Sequence, residues 1–282
     1  MTQGMAVAVA RGALTDSWGD AIELSMYHTP AAGTRYYRVT TRGTRHSGVL
    51  TGMGSYYTLG GRYHRPHQRT VYASDDALVS ITEMAYYQAL EWQERIGGGR
   101  AGTPIRLRRP APPTYPLVSS HLLWCFTLTT PPLVIEVDDP IAYATFQHAP
   151  IEILNPGQAY ETTQSLADRV RSFTHTQHAR AEGIRAPSVR TPISGGQQPS
   201  QYALFVMKGW NLSGQVLWRA DLTFEFLDET GNPASSATRN VDWAHPKFQL
   251  HGLPAAIPAF VGRPGAQAYH PGVRYPAEIR SL

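Results

Sequence analysis

The stretch GGRYHRPHQRTVYASDDALVSITEMAYYQALE, residues 60–91, decides the architecture of this chain. It reads as a glycine turn, a short strand and a helix. The helix rests on period: Leu78, Ile81, Ala85, Ala89, Trp92 and Ile96 fall on one stripe, with Ser74 or Asp75 available as N-cap. At about 100° per residue, Glu83 points away from that packing stripe, onto a second face shared with Val79, Tyr86, Tyr87 and Leu90. A carboxylate among apolar and aromatic neighbours loses hydration and needs a cationic or hydroxyl partner. Arg62, which follows the glycine pair, and Tyr72, which ends the strand, are the nearest candidates in sequence. The plain alternative is a Glu on the solvated flank of an amphipathic helix.

Working outward, TRYYRVT (residues 34–40) reads as a strand by its aromatic and β-branched content, from which Arg38 projects. Far downstream, GIRAPSVR (183–190) reads as a stiff basic loop, because Pro187 fixes the backbone before Ser188 and Arg185 and Arg190 flank it. A serine there can hydrogen-bond a phosphate, a ribose or the Glu83 carboxylate. No G-x-S-x-G surrounds it, so nothing marks it as a nucleophile, and read alone it is a loop hydroxyl. Gly60 and Gly61 permit positive φ and close approach of a ligand, and they are equally common in turns that bind nothing.

Taken in order, TRYYRVT, GGRYHR, VYASDDALVSITE and GIRAPSVR resemble the RES-domain family, named for an arginine, a glutamate and a serine. The matching positions are Arg38, Gly60, Gly61, Arg62, Tyr72, Glu83 and Ser188, across roughly residues 34–210. After GGR this chain carries Tyr63 and His64, where the family typically has Trp or Phe and then Asn. The resemblance implies an α+β fold, with an ADP-ribosyltransferase-like mixed β core and flanking helices. It also implies an enzyme that consumes NAD, usually the toxin of a bacterial toxin and antitoxin pair. Glu83, Arg62 and Ser188 would then be catalytic, and Arg38, Gly61, Arg62, Tyr72, Ser188 and Arg190 would hold NAD. The expected partners are NAD itself and a DNA-binding antitoxin, with a homo-oligomer left open. The same carboxylate would serve transfer of ADP-ribose onto a protein, and an inactive binding protein is the remaining alternative.

Composition sets the outer limits. With 282 residues and 42% hydrophobic content, the chain can bury a substantial core in one globular unit. The expected division is an N-terminal extension (1–33), a catalytic domain (34–230) and a Pro/Gly-rich C-terminal arm (231–282). The lone Cys125, inside LLWCFTL, excludes a disulfide framework within the monomer and reads as a buried thiol. His64 and His67 lack acidic or cysteine partners at ligand spacing, so no metal is expected. The net charge of +4 comes from scattered basic residues, densest at Arg100, Arg106, Arg108 and Arg109 in a Gly/Pro-rich segment. No helix carries a basic stripe, which argues against nucleic acid, and a modest positive field suits an anionic dinucleotide. No apolar run approaches the roughly 20 residues of a membrane span, and the N-terminus lacks a signal-peptide pattern, so the expected compartment is cytoplasmic.

Further elements follow from pattern. SSHLLWCFTL (119–128) and PLVIEVDD (132–139) read as buried strands, the second running out into an acidic turn at EVDDP. Residues 161–182 read as a second helix, with Leu166, Val170, Phe173 and Gln177 on one face and Gly183 as its stop. Segments 202–209 and 214–233 read as strands, expected to pair through the turn at 210–214.

Overall fold

Two five-stranded sheets organise the described residues, and both helices foreseen in the sequence lie against them. A computed structural model describes residues 26–58, 60–96, 116–149, 160–172, 181–188, 199–207, 212–238, 240–241, 247–251 and 273–274. In chain order the elements are β1 (Tyr27–His28), β2 (Arg35–Thr41), a 3-10 turn (His46–Gly48), α1 (Met53–Tyr56), β3 (Thr70–Ala73) and α2 (Ala77–Ile96). There follow β4 (Val118–Leu128), β5 (Val134–Glu136), α3 (Pro140–Phe146), α4 (Glu161–Ser172), β6 (Gly183–Pro187) and β7 (Ser200–Phe205), then β8 (Gly214–Leu227), β9 (Lys247–His251) and β10 (Val273–Arg274). The class is α+β, as expected.

One sheet has the order β1-β5-β6-β7-β3, the other β10-β9-β8-β4-β2. Strand residues alternate between two faces, and that alternation sorts the core into three layers. Tyr36, Trp124 and Phe126 from the second sheet meet Val71, Tyr202 and Leu204 from the first, filling the space between the sheets. Tyr37, Val39, Leu123 and Cys125 point the other way and pack under Leu78, Ile81, Ala85 and Ala89 of α2, the stripe read from period. On the far side of the first sheet, Ile184, Ala203 and Phe205 are covered by Leu166, Ala167 and Val170 of α4 and by Ala142 and Phe146 of α3. Cys125 is fully buried, and that burial raises its thiol pKa.

The two sheets meet at one corner. Tyr37 of β2 and Ser74, just past β3, exchange backbone hydrogen bonds of 2.7 and 3.0 Å. Helix α2 begins three residues later, so its flank looks along the seam.

Three expectations are corrected. The helix read across 161–182 is described over Glu161–Ser172 and does not reach 182: Phe173 and Gln177 lie outside the described residues, and Ala181 and Glu182 are not helical. Gly183 opens a strand instead of stopping a helix: a Cβ there would sit 2.7 Å from the Ala203 carbonyl oxygen, so only glycine fits against β7. GIRAP is therefore a central strand, not a loop, paired parallel to β5 and antiparallel to β7. Nor do β7 and β8 form a hairpin; they lie in different sheets, because β7 finds its partners in β3 and β6, and β8 in β4 and β9. The acidic turn EVDDP does structural work at each carboxylate. Glu136 pairs with Arg185, Asp138 accepts from the Tyr143 hydroxyl, and Asp139 caps α3 by accepting from the Ile141 N–H at 2.8 Å.

Candidate active site

At the seam lies a cleft of about 330 Å³, lined among others by Arg38, Gly61, Tyr72 and Glu83. Four residues named from sequence thus converge from β2, the glycine turn, β3 and α2. Glu83 projects from the flank of α2, half-buried, as the helical period requires. Its carboxylate accepts a 2.7 Å hydrogen bond from the Ser188 hydroxyl, a contact between residues 105 apart in the chain. Ser188 is fully buried at the end of β6, held there by its own N–H, which donates to the Pro199 carbonyl at 2.6 Å. A hydroxyl donating to a carboxylate orients it without neutralising it.

Arg62 acts on the same strand end. It is only 3% exposed, lies with its guanidinium 5.0 Å from the centre of the Tyr63 ring, and donates from Nη1 to the Pro187 carbonyl at 3.2 Å. The peptide that Arg62 grips is the one that delivers Ser188. Arg38 donates to the Val49 carbonyl and lines the cleft. Burial lowers its pKa to about 10, which still leaves it cationic at neutral pH.

Tyr72 lines the cleft, but its hydroxyl serves other groups. It accepts from the Tyr63 N–H at 2.8 Å and lies 2.9 Å from His64 Nδ1. The tautomer of His64 follows from proton accounting. Thr58 spends its one hydroxyl proton on the Ser55 carbonyl at 2.8 Å, so at 2.9 Å it can only accept from His64 Nε2. Nε2 therefore carries the hydrogen, and Tyr72 donates to the bare Nδ1. Burial, and secondly the charge of Arg171, hold the His64 pKa down at about 4, consistent with this neutral ring.

The glycine pair has a defined role. Gly60 adopts φ +112°, and a Cβ on Gly61 would come within 2.5 Å of the His64 ring. Gln164 of α4 donates to the Gly61 carbonyl at 3.0 Å, while Arg65 and Gln68 both bind Asp168 of α4, at 2.5 and 2.8 Å. The turn is thereby clamped to a helix a hundred residues away.

Sequence reasoning offered Arg62, Tyr72 and Ser188 as partners for Glu83, and the Ser188 hydroxyl does donate to it. Arg190 lies outside the described residues. Arg185, expected to flank Ser188 as a free cation, alternates to the other face of β6 and pairs with Glu136. His64, weighed in sequence only as a metal ligand, is instead the pivot of the Tyr72 hydroxyl; its spacing carried no sign of that. Gln201, which also lines the cleft, was missed because nothing local distinguishes it. Among the described residues no group of three His, Cys, Asp or Glu side chains is placed to hold a metal ion, and no helix is long and apolar enough to cross a membrane.

Comparison with known proteins gives a family. Residues 35–226 match the model of the RES domain. No curated protein matches the chain. Among solved structures, one described as the crystal structure of the M. tuberculosis MbcT-MbcA toxin-antitoxin complex is 13% identical, with a TM-score of 0.47, covering 73% of this chain and 92% of that one.

Proposed function

We propose a function that starts from membership: the chain belongs to the RES domain family, and its cleft binds NAD and breaks the bond between nicotinamide and ribose. The observation that carries this reading is the Glu83 carboxylate in the cleft, held by the Ser188 hydroxyl. As the C1′–N bond breaks, its electron pair leaves with the neutral nicotinamide and positive charge develops on the ribose. A fixed anion nearby lowers that barrier, and because it is already oriented it needs no rearrangement as the charge appears. Water then bonds to C1′, and its proton departs by way of Glu83. No metal is needed.

The other residues take supporting parts. Arg38 lines the cleft as a cation for pyrophosphate or ribose oxygens. Arg62 sets the Pro187–Ser188 peptide and adds positive charge beside it. Gly61 lets the dinucleotide approach the backbone, Tyr72 offers a ring to flank nicotinamide, and Ser188 orients Glu83. Arg190 would add a second cation. Inorganic phosphate is an alternative acceptor, weakened by the commitment of Arg185 to Glu136.

Destruction of free NAD would arrest the cell that makes the protein. This reading therefore gives it the role of a cytoplasmic bacterial toxin restrained by an antitoxin, itself expected to bind DNA. Purified protein incubated with labelled NAD should release nicotinamide and free ADP-ribose, or its 1-phosphate when phosphate is present. Glu83→Gln keeps the shape and removes the anion, so release should fall by about 10² or more while the fold is unchanged. Retention of most activity by the Gln variant would remove Glu83 from the mechanism. A stoichiometric label on a protein, with little free product, would turn the reading toward ADP-ribosyl transfer, and no release at all toward a binding protein.

A further inference from the structure

Gln201 sits in the wall of the cleft with a side-chain amide nitrogen that no described residue engages. The residue is only 7% exposed, and its Nε2 is buried with no hydrogen-bond partner among the described residues. A buried amide donor without an acceptor is destabilising and rare in native proteins, which satisfy nearly all such groups. Its position makes the exception informative.

Register fixes where it lies. Tyr72 of β3 stands opposite Ala203 of β7, which stands opposite Ile184 of β6. Gln201 is two residues from Ala203 and opposite Ala186, so it shares their face, one row further along. Ser188 is two residues past Ala186. Gln201 therefore occupies the row between Tyr72 and the Ser188 hydroxyl that holds Glu83, and it lines the same cleft as Tyr72 and Glu83.

Resting on the reading of the cleft as an NAD site, we infer that the Gln201 amide donates to a hydroxyl oxygen of the ribose whose neighbouring hydroxyl donates to Glu83. The chemistry is complementary. A vicinal diol presents two hydroxyls, each able to give one proton and accept another. A carboxylate can only accept, and an amide N–H can only donate, so side by side they read both hydroxyls of one ring. Gln201 is thus a residue that selects ribose over sugars lacking a hydroxyl, and a ligand supplies the acceptor that the described residues do not. Sites built to hydrogen-bond a substrate hydroxyl discriminate strongly against analogues without it, because the site's own polar group is then stranded.

The test is binding of product, so that turnover does not intervene. ADP-ribose, and the analogues lacking the 2- or the 3-hydroxyl of its terminal sugar, are titrated by calorimetry into the wild-type chain and into Gln201→Met, which keeps the volume and removes the donor. The wild type should bind ADP-ribose about threefold to tenfold tighter than at least one deoxy analogue. Gln201→Met should narrow that gap to less than about twofold, and its ligand-free unfolding midpoint should not fall, since no internal bond is lost. Gln201→Glu, which removes the donor and sets a second carboxylate near Glu83, should bind ADP-ribose more weakly than Gln201→Met does. An unchanged gap, or equal weakening of all ligands with a lowered midpoint, overturns the assignment and makes Gln201 structural. If the gap closes as expected but the wild type releases no nicotinamide from NAD, cleavage is refuted while the sugar contact stands. If the wild type binds none of these ligands, both readings fail.

Discussion

His64 shows how far a single side chain departs from what its type suggests. In sequence it stands beside His67 as a candidate ligand, yet it is a neutral, buried relay between Thr58 and Tyr72. Its pKa is depressed from 6.5 to about 4, so the folded chain binds fewer protons than the unfolded chain between those values. The stabilisation linked to this group is complete above about pH 6.5 and is lost as pH falls through about 4, to a total on the order of 3 kcal/mol. Urea unfolding of wild type and His64→Gln at pH 7.5 and 4.5 should show the wild type losing more stability than the variant. Equal losses would mean that His64 does not titrate on unfolding. The glutamate was legible at this scale, because helical period alone turned Glu83 off the packing stripe. Its hydroxyl partner was legible only as one of three options for Ser188, since the two residues are 105 apart and only tertiary folding selects among them. Gln201 gave no local signal, being one polar residue at the start of an apolar strand.

At the scale of elements, the readable ones were those whose surroundings repeat along the chain. Helix α2 buries one stripe from Ala77 to Trp92, and β4 lies inside a sheet with both faces covered, so each carries its own pattern. Strand β6 did not, because Arg185 and Pro187 within it and Arg190 after it gave GIRAPSVR the composition of a loop, while its burial comes from β5 and β7 on either side. Its glycine is the sensitive point. A Cβ at Gly183 would meet the Ala203 carbonyl oxygen at 2.7 Å and Leu204 Cα at 3.1 Å, both backbone atoms that cannot rotate away. Gly183→Ala should therefore push β6 from β7 and destabilise the fold by about 1–3 kcal/mol. Because Ser188 ends the same strand, nicotinamide release should fall with it. A denaturation midpoint within about 0.5 kcal/mol of wild type would show that the strands can separate without penalty.

For the molecule as a whole, the question is whether the helix that carries Glu83 stands without the C-terminal segment. The resemblance ends near residue 210 and the family match at residue 226, which invites a boundary just beyond. Physical continuity runs further. Strand β9 pairs with β8 from Thr223 to Leu227, and its Phe248 and Leu250 are 1% and 0% exposed. The Phe248 ring lies 5.4 Å from Phe224 and 6.3 Å from Phe226, and all three belong to the cluster that seats Ile81, Ala85 and Ala89 of α2. Glu83 projects from that same helix, so β9 supports the carboxylate from beneath. A chain ending at residue 238 would bare the edge of β8 and uncover Phe224 and Phe226, leaving an unpaired apolar edge that invites aggregation. We expect that truncation to lose cooperative unfolding and nicotinamide release together. Phe248→Ala, a milder cut in the same place, should cost about 3–5 kcal/mol. Residual activity in the folded fraction of that variant should match wild type, since Phe248 lies outside the cleft lining. A monodisperse truncated chain with the wild-type midpoint would show that the segment is an appendage and that α2 is seated by β2, β4 and β8 alone.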